Sequence, residues 1–254
     1  MLLNAIRNPG TTVCSRWGIL VALAVLLVSA ATDAPAQTKP TPAQGSAAPP
    51  GREGAWLEVH QTFLDRAKKG EIDLLFVGDS ITAGWGGVAP TWDRFYAPRR
   101  AANFGIGGDG TEQVLWRLEH GEIDGIAPKV VVLLIGTNNL GGNTPAEIAV
   151  GVSAIVSKLR TKLPKSKILL LGVFPRAETR ADPVSARIQA LNARIARLDD
   201  GKSVAYLDIG RHFLDAEGTI SADLMPDFLH LTPLGYRLWA DALEPTLWEL
   251  MEGK

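Results

Sequence analysis

From residue 56 to the end of the chain, two hydrophobic patterns alternate. Short apolar runs occupy 72–77, 101–104, 130–135, 167–173 and 203–207. Between and after them, the stretches 56–69, 111–120, 145–163, 184–199 and 233–251 carry apolar residues at three- and four-residue intervals, the spacing of amphipathic helices. Val130-Val131-Val132-Leu133-Leu134-Ile135 is apolar at every position, as expected of a strand covered on both faces. Strands alternating with helices predict an α/β fold: a parallel sheet between two helical layers. Right-handed crossovers then put the loops that carry function at the carboxyl ends of the strands. No internal repeat interrupts the pattern.

The first 54 residues do not follow it. Arg7 and Arg16 precede an apolar run over 18–31, and Ala34-Pro35-Ala36 follows. A charged segment, an apolar segment and small residues in that order predict a secretory signal peptide at 1–36, cleaved after Ala36. The run is shorter than the roughly 20 residues a membrane-spanning helix needs, although an uncleaved anchor is the alternative. Residues 37–54, rich in Pro, Ala, Gln and Gly, read as a flexible linker, so the folded domain is expected over 55–254. Secreted or periplasmic protein is the expected location, with no stable membrane insertion after cleavage.

Composition narrows the function. With 26 basic and 27 acidic residues, the formal net charge of −1 provides no electrostatic footprint for nucleic acid. At 46% hydrophobic and 21% charged residues, the chain is neither disordered nor a polytopic membrane protein. The single cysteine, Cys14, falls in the predicted leader, which leaves the domain without a disulfide, thiolate metal site or cysteine nucleophile. His120-Gly121-Glu122 suggests no ligand set, and no His pair has metal-ligand spacing; neither metal nor cofactor is expected.

The residues just after the strands carry the candidate chemistry. Gly78-Asp79-Ser80-Ile81 follows the first run. Its serine could present a hydroxyl at the rim of the sheet or could cap a helix. This is not the G-x-S-x-G elbow, since Thr82 stands where the second glycine belongs. Gly105-Ile106-Gly107-Gly108-Asp109-Gly110 matches a dinucleotide-binding pattern, and with it a nicotinamide-dependent oxidoreductase. Against that, it follows the second strand, and Gly136-Thr137-Asn138-Asn139 after the third strand offers no ribose-binding acid. The glycine run can instead bring bare amides to a developing negative charge, or serve turn geometry alone. Asn138 and Asn139 can donate into a shared cleft or bond to their own backbone. In the last loop, Asp227 precedes His230 by three residues, close enough to fix the imidazole tautomer and free the other nitrogen as a base. His60, His120 and His212 lack such a partner nearby and read as structural.

In combination these stations resemble the SGNH subgroup of the GDSL hydrolases, and within it the catalytic subunits of intracellular platelet-activating-factor acetylhydrolase. The similarity spans nearly all of 70–250 and rests on Phe76-Val77-Gly78-Asp79-Ser80, Asn103-Phe104-Gly105-Ile106-Gly107-Gly108-Asp109, Val114-Leu115-Trp116-Arg117-Leu118, Gly136-Thr137-Asn138-Asn139 and Asp227-Phe228-Leu229-His230-Leu231-Thr232. The resemblance implies a three-layer α/β/α sandwich with a five-stranded parallel sheet, flavodoxin-like in strand order. It implies Ser80 as nucleophile, His230 as general base and Asp227 as its orienting acid. The oxyanion hole would be the amides of Ser80 and Gly108 and the side chain of Asn138, with Gly107 the candidate if the loop is shifted by one. Ile81 departs from the family's Leu, and Asn139 from its usual Asp. The resembled enzymes are intracellular, whereas this chain carries a leader pattern, so their substrate does not carry over directly.

The expected activity is therefore a serine carboxylester hydrolase that removes a small acyl group, most simply acetyl, from a carbohydrate or lipid. Trp85, Phe174, Met225 and Phe228 fall near the strand ends and could line an acyl pocket or simply pack beneath the loops. The alternative is an inactive binding module for acetylated glycan on the same scaffold. The resemblance also implies a possible homodimer.

Overall fold

The computed structural model describes residues 52–178 and 181–253. The expected leader, and all of the expected linker except its last three residues, lie outside the described residues. The elements are α1 (Ala55–Lys68), β1 (Leu74–Gly78), α2 (Ser80–Ala83), α3 (Ala89–Phe95), β2 (Ala101–Gly105), α4 (Thr111–Glu119), β3 (Val130–Leu134), α5 (Pro145–Lys162), β4 (Lys167–Leu171), α6 (Pro183–Ile195), β5 (Val204–Leu207) and α7 (Pro233–Glu252).

All five strands are parallel, in the order β2-β1-β3-β4-β5. That is the flavodoxin-like order the family resemblance implies. Alternate strand residues enter two separate cores. Leu75, Val77, Val131, Leu133, Ile168 and Leu170 face α1, α4, α5 and α6. Leu74, Phe76, Val130, Val132, Leu169 and Leu171 face an aromatic layer under α3 and α7. Burial on both faces is why these strands read as unbroken apolar runs.

Three of the long helices start with the same grammar. Thr144, Asp182 and Thr232 each accept a first-turn amide, and Pro145, Pro183 and Pro233 follow. Helix α6 ends at Ile195, and a single 3-10 turn over Ala196–Leu198 completes the stretch expected to be helical to 199. Helices α2 and α3 were not expected from the sequence. They have four and seven residues, too few to display a period, and the punctuation of Gly84, Gly86, Gly87 and Pro90 disguises them. Helix α3 earns its place through Trp92, whose ring centroid is 5.3 Å from Phe76 and 6.0 Å from Trp85. Among the described residues, no helix is long and apolar enough to cross a membrane.

The register levels the strand ends, since Gly78 pairs with both Gly105 and Leu134. The loops after β1, β2 and β3 therefore leave the sheet side by side. Gly105 permits a close approach there: a Cβ at this position would lie 2.3 Å from the Ala83 main-chain nitrogen in α2. Replacing Gly105 with Ala is expected to destabilise the protein by about 1–3 kcal/mol in urea unfolding. A loss below about 0.5 kcal/mol would mean that α2 does not rest on β2 as described.

Candidate active site

Asp79 occupies the cap position of α2, with its carboxylate accepting from the Ile81 amide at 3.0 Å. The capping role considered for Ser80 thus belongs to its neighbour, and Ser80 is the first helical residue. Its amide is one of the first-turn donors that have no acceptor within a helix. Its hydroxyl oxygen lies 2.9 Å from Nε2 of His230, 150 residues away in the chain.

His230 is held by a compact turn. Asp227 accepts from the main-chain amides of Leu229 (3.1 Å) and His230 (2.7 Å) on one oxygen, and its other oxygen lies 2.6 Å from His230 Nδ1. Phe228 adopts a left-handed φ of 56° that lets the acid fold back over the turn. With Nδ1–H donated to the carboxylate, Nε2 is left to accept from Ser80. Partial desolvation acts to raise the Asp227 carboxyl, but hydrogen bonds from the His230 main chain and ring and from the Leu229 amide outweigh it. The group is held below its usual range and stays ionised. Asp227 and His230 are both substantially exposed, so the site opens to solvent.

The glycine loop adjoins them. A Cβ at Gly107 would stand 3.9 Å from that of Ser80. Gly108 takes a φ of +77°, which a side chain would strain, and this turns the loop toward α4. Asn138 donates one N–H to the Asp109 carbonyl at 2.8 Å and has a second N–H to spare. Asn139 accepts from the Thr111 amide at 2.9 Å and donates to Glu112 at 2.9 Å, thereby capping α4 where Gly110 has no side chain to do so. Both asparagines bond across to the segment after β2, Asn138 to its loop and Asn139 to the first turn of α4. Ser80, Gly107, Gly108, Asn138, Asp227 and His230 are thus gathered at the carboxyl ends of β1, β2 and β3.

Of the aromatic and sulfur residues expected to be able to line an acyl pocket, Trp85, Phe174 and Met225 are buried in the core, 1%, 2% and 0% exposed. Trp85 and Phe174 each pack on Trp239, with ring centroids 5.0 and 5.1 Å away. Their packing role wins because the layer under α7 needs large apolar volume. Trp85 also edges a cleft of about 410 Å³ with Phe63, Trp92 and Phe104, whereas Phe228 borders one of about 390 Å³ that includes Asp227, together with Leu140, Arg176 and Val184.

Beneath the loops lies a group that the sequence reading did not single out. Arg117, wholly buried on α4, donates to Asp109 at 2.9 Å and to Glu122 at 2.6 Å, two carboxylates equally buried. Trp56 Nε1 donates to Asp109 at 2.8 Å, and Arg52, within the stretch expected to be linker, donates to the Gly108 carbonyl. His60 lies 3.4 Å from Glu122. The only advance sign was an arginine among apolar helical positions, in Val114-Leu115-Trp116-Arg117-Leu118.

The sheet order and these stations together define an α/β/α hydrolase scaffold. A model of the GDSL-like lipase/acylhydrolase family matches residues 76–238. The platelet-activating factor acetylhydrolase IB subunit alpha1 of Homo sapiens is 36% identical over 215 residues, which cover 84% of this chain and 90% of the relative. Subunit alpha2 of Rattus norvegicus is 40% identical over 198 residues, covering 78% and 85%. Among solved structures, a GDSL-like lipase of Bacteroides thetaiotaomicron superposes with a TM-score of 0.62 at 21% identity, covering 75% of this chain and 97% of the other. The acetylxylan esterase Axe2 of Geobacillus stearothermophilus gives 0.57 at 20% identity, covering 70% and 93%. The chain belongs to the GDSL-like lipase/acylhydrolase family and is an ester-cleaving enzyme.

Asp79 adds a pH-dependent element beside Ser80. Burial, reinforced by the charge of Asp109, pushes its carboxyl up to about 7 despite the hydrogen bond from Ile81. An acid whose folded pKa is raised binds more protons in the folded than in the unfolded state between the two values. Its contribution therefore favours folding at low pH and is lost as pH rises from about 4 toward 7. Asp79→Asn keeps the capping oxygen without the charge. It is expected to flatten the Asp79-dependent slope of roughly 1 kcal/mol per pH unit in that window, measured by urea unfolding. An unchanged slope would contradict the raised acid.

Proposed function

We propose that the protein is an exported serine carboxylester hydrolase that removes small acyl groups, acetyl foremost, from a carbohydrate or lipid alcohol. The observation that carries this reading is the hydrogen-bonded chain from Asp227 through His230 to the Ser80 hydroxyl. Ser80 Oγ attacks the ester carbonyl carbon while its proton passes to His230 Nε2. Asp227, kept ionised by its turn, stabilises the imidazolium and holds the tautomer. The carbonyl π electrons move onto oxygen, where the amides of Ser80 and Gly108 and the free N–H of Asn138 receive the charge. The intermediate collapses to an acyl-enzyme as His230 returns the proton to the departing alcohol. Water, activated by the same imidazole, then releases the acid.

Two observations support a small acyl group. The curated relatives are named acetylhydrolases. Phe174 and Met225 fill the core, leaving them unavailable as walls for a long chain. The cleft beside Asp227 combines Arg176 and Asp182 with Leu140 and Phe228, a mixed lining suited to the alcohol portion. The pattern of Arg7, Arg16, the apolar run over 18–31 and Ala34-Pro35-Ala36 supports export.

Hydrolysis of p-nitrophenyl acetate is expected to fall at least about a thousandfold in Ser80→Ala while the folded protein persists. Activity retained in that variant would refute the nucleophile. Across a series of p-nitrophenyl esters, kcat/KM is expected to peak at acetyl to butyryl. A peak at decanoyl or beyond would overturn the small-acyl reading.

A further inference from the structure

The Arg117 guanidinium reaches the carboxyl ends of β1 and β2, from which the loops with the proposed main-chain oxyanion donors leave, and Asp109 in the second of those loops. It donates through Nη2 to the Gly78 carbonyl at 3.1 Å, two residues before Ser80. Through Nη1 it donates to the Phe104 carbonyl at 3.1 Å, at the end of the strand leading to Gly108. Through Nε it holds the carboxylate of Asp109, the residue after Gly108, and Glu122 closes the remaining side. Asp109 extends the linkage, because its own carbonyl accepts the Asn138 side-chain amide. One rigid, planar cation is thereby tied to the last residue of β1, to the end of β2 and the loop that follows it, and through Asp109 to Asn138. The strands alone do not fix this arrangement, since loops that leave a sheet side by side remain free to shift by fractions of an ångström.

We infer that Arg117 and Asp109 are positioning residues of the active site, a buried ionic clamp that sets the spacing of the Ser80 and Gly108 amides and the Asn138 amide around the oxyanion. This rests on the serine-esterase reading and extends it to two residues that touch neither substrate nor reacting atoms. A buried ion pair is weak evidence for a stabilising role, because apolar replacements of similar volume often stabilise as well or better. What an apolar replacement could not supply here is the set of directed bonds from one fork to Gly78, Phe104 and Asp109.

The test uses Arg117→Lys, which keeps the charge without the fork, and Asp109→Asn, which keeps the main-chain carbonyl and an acceptor for Trp56. Each is compared with wild type on p-nitrophenyl acetate and on its thionoester, whose sulfur is a poorer hydrogen-bond acceptor. Displaced oxyanion donors predict that kcat for the oxygen ester falls about tenfold or more with KM little changed. The preference for the oxygen ester over the thionoester should fall with it, whereas general loosening of the fold would lower both substrates in parallel. Folded variants that keep the wild-type preference within twofold would overturn the clamp, as would failure of both variants to fold, which would make the cluster a stability element. Wild-type turnover that survives Ser80→Ala would instead defeat the underlying esterase reading, and that control is run on the same plate.

Discussion

Three parallel strands that end level are the constraint on which the rest of this protein depends. Because Gly78 pairs with Gly105 on one side and Leu134 on the other, the chain leaves the sheet at nearly the same height three times. The hydroxyl of Ser80, the glycine loop and Asn138 need no long insertion to meet. The fourth contribution, the Asp227–His230 turn, arrives from just ahead of α7. It is anchored by main-chain hydrogen bonds from Phe228 to Met225 and from Thr232 to Leu224, at 3.0 and 2.9 Å. The aromatic layer around Trp85 and Trp239 fixes how close α7 comes to the sheet, and so the reach of His230 toward Ser80.

The charges divide between two environments. Asp227 and His230 face solvent, and the acid is kept ionised by directed hydrogen bonds. Asp109, Arg117 and Glu122 lie fully out of water, where an unpaired charge would be costly, so each is held by several partners. The first arrangement leaves one imidazole nitrogen facing the Ser80 hydroxyl. The second is fixed in position and suits the holding of backbone groups. Asp79 lies between them, beside the serine and buried, with its carboxyl raised to about 7.

Much of the sheet was legible because burial on both faces leaves an unbroken apolar run, as at Val130-Val131-Val132. The long helices showed their spacing. Helices α2 and α3 were illegible because four and seven residues cannot express a period, and long-range packing by Trp92 holds the latter in place. At the site, the positions of Ser80 and Asn138 just after strands, and of Asp227 and His230 in the last loop, were readable. The capping role of Asp79 and the cross-loop bonds of Asn138 and Asn139 were not, because they depend on which loops become neighbours. Arg117 was hidden for the same reason: its acceptors come from Gly78, Phe104, Asp109 and Glu122, and only the folded sheet assembles them. Trp85, Phe174 and Met225 stayed open between pocket and core because large apolar residues near loops serve one as readily as the other.

Direct observation of the covalent intermediate would test the central claim most closely. Rapid acid quenching during turnover of p-nitrophenyl acetate, followed by peptide mass mapping, should reveal an acetyl group on the peptide containing Ser80, at a level that rises and decays with turnover. Sustained hydrolysis with Ser80 unlabelled, or with the label on another residue, would contradict it.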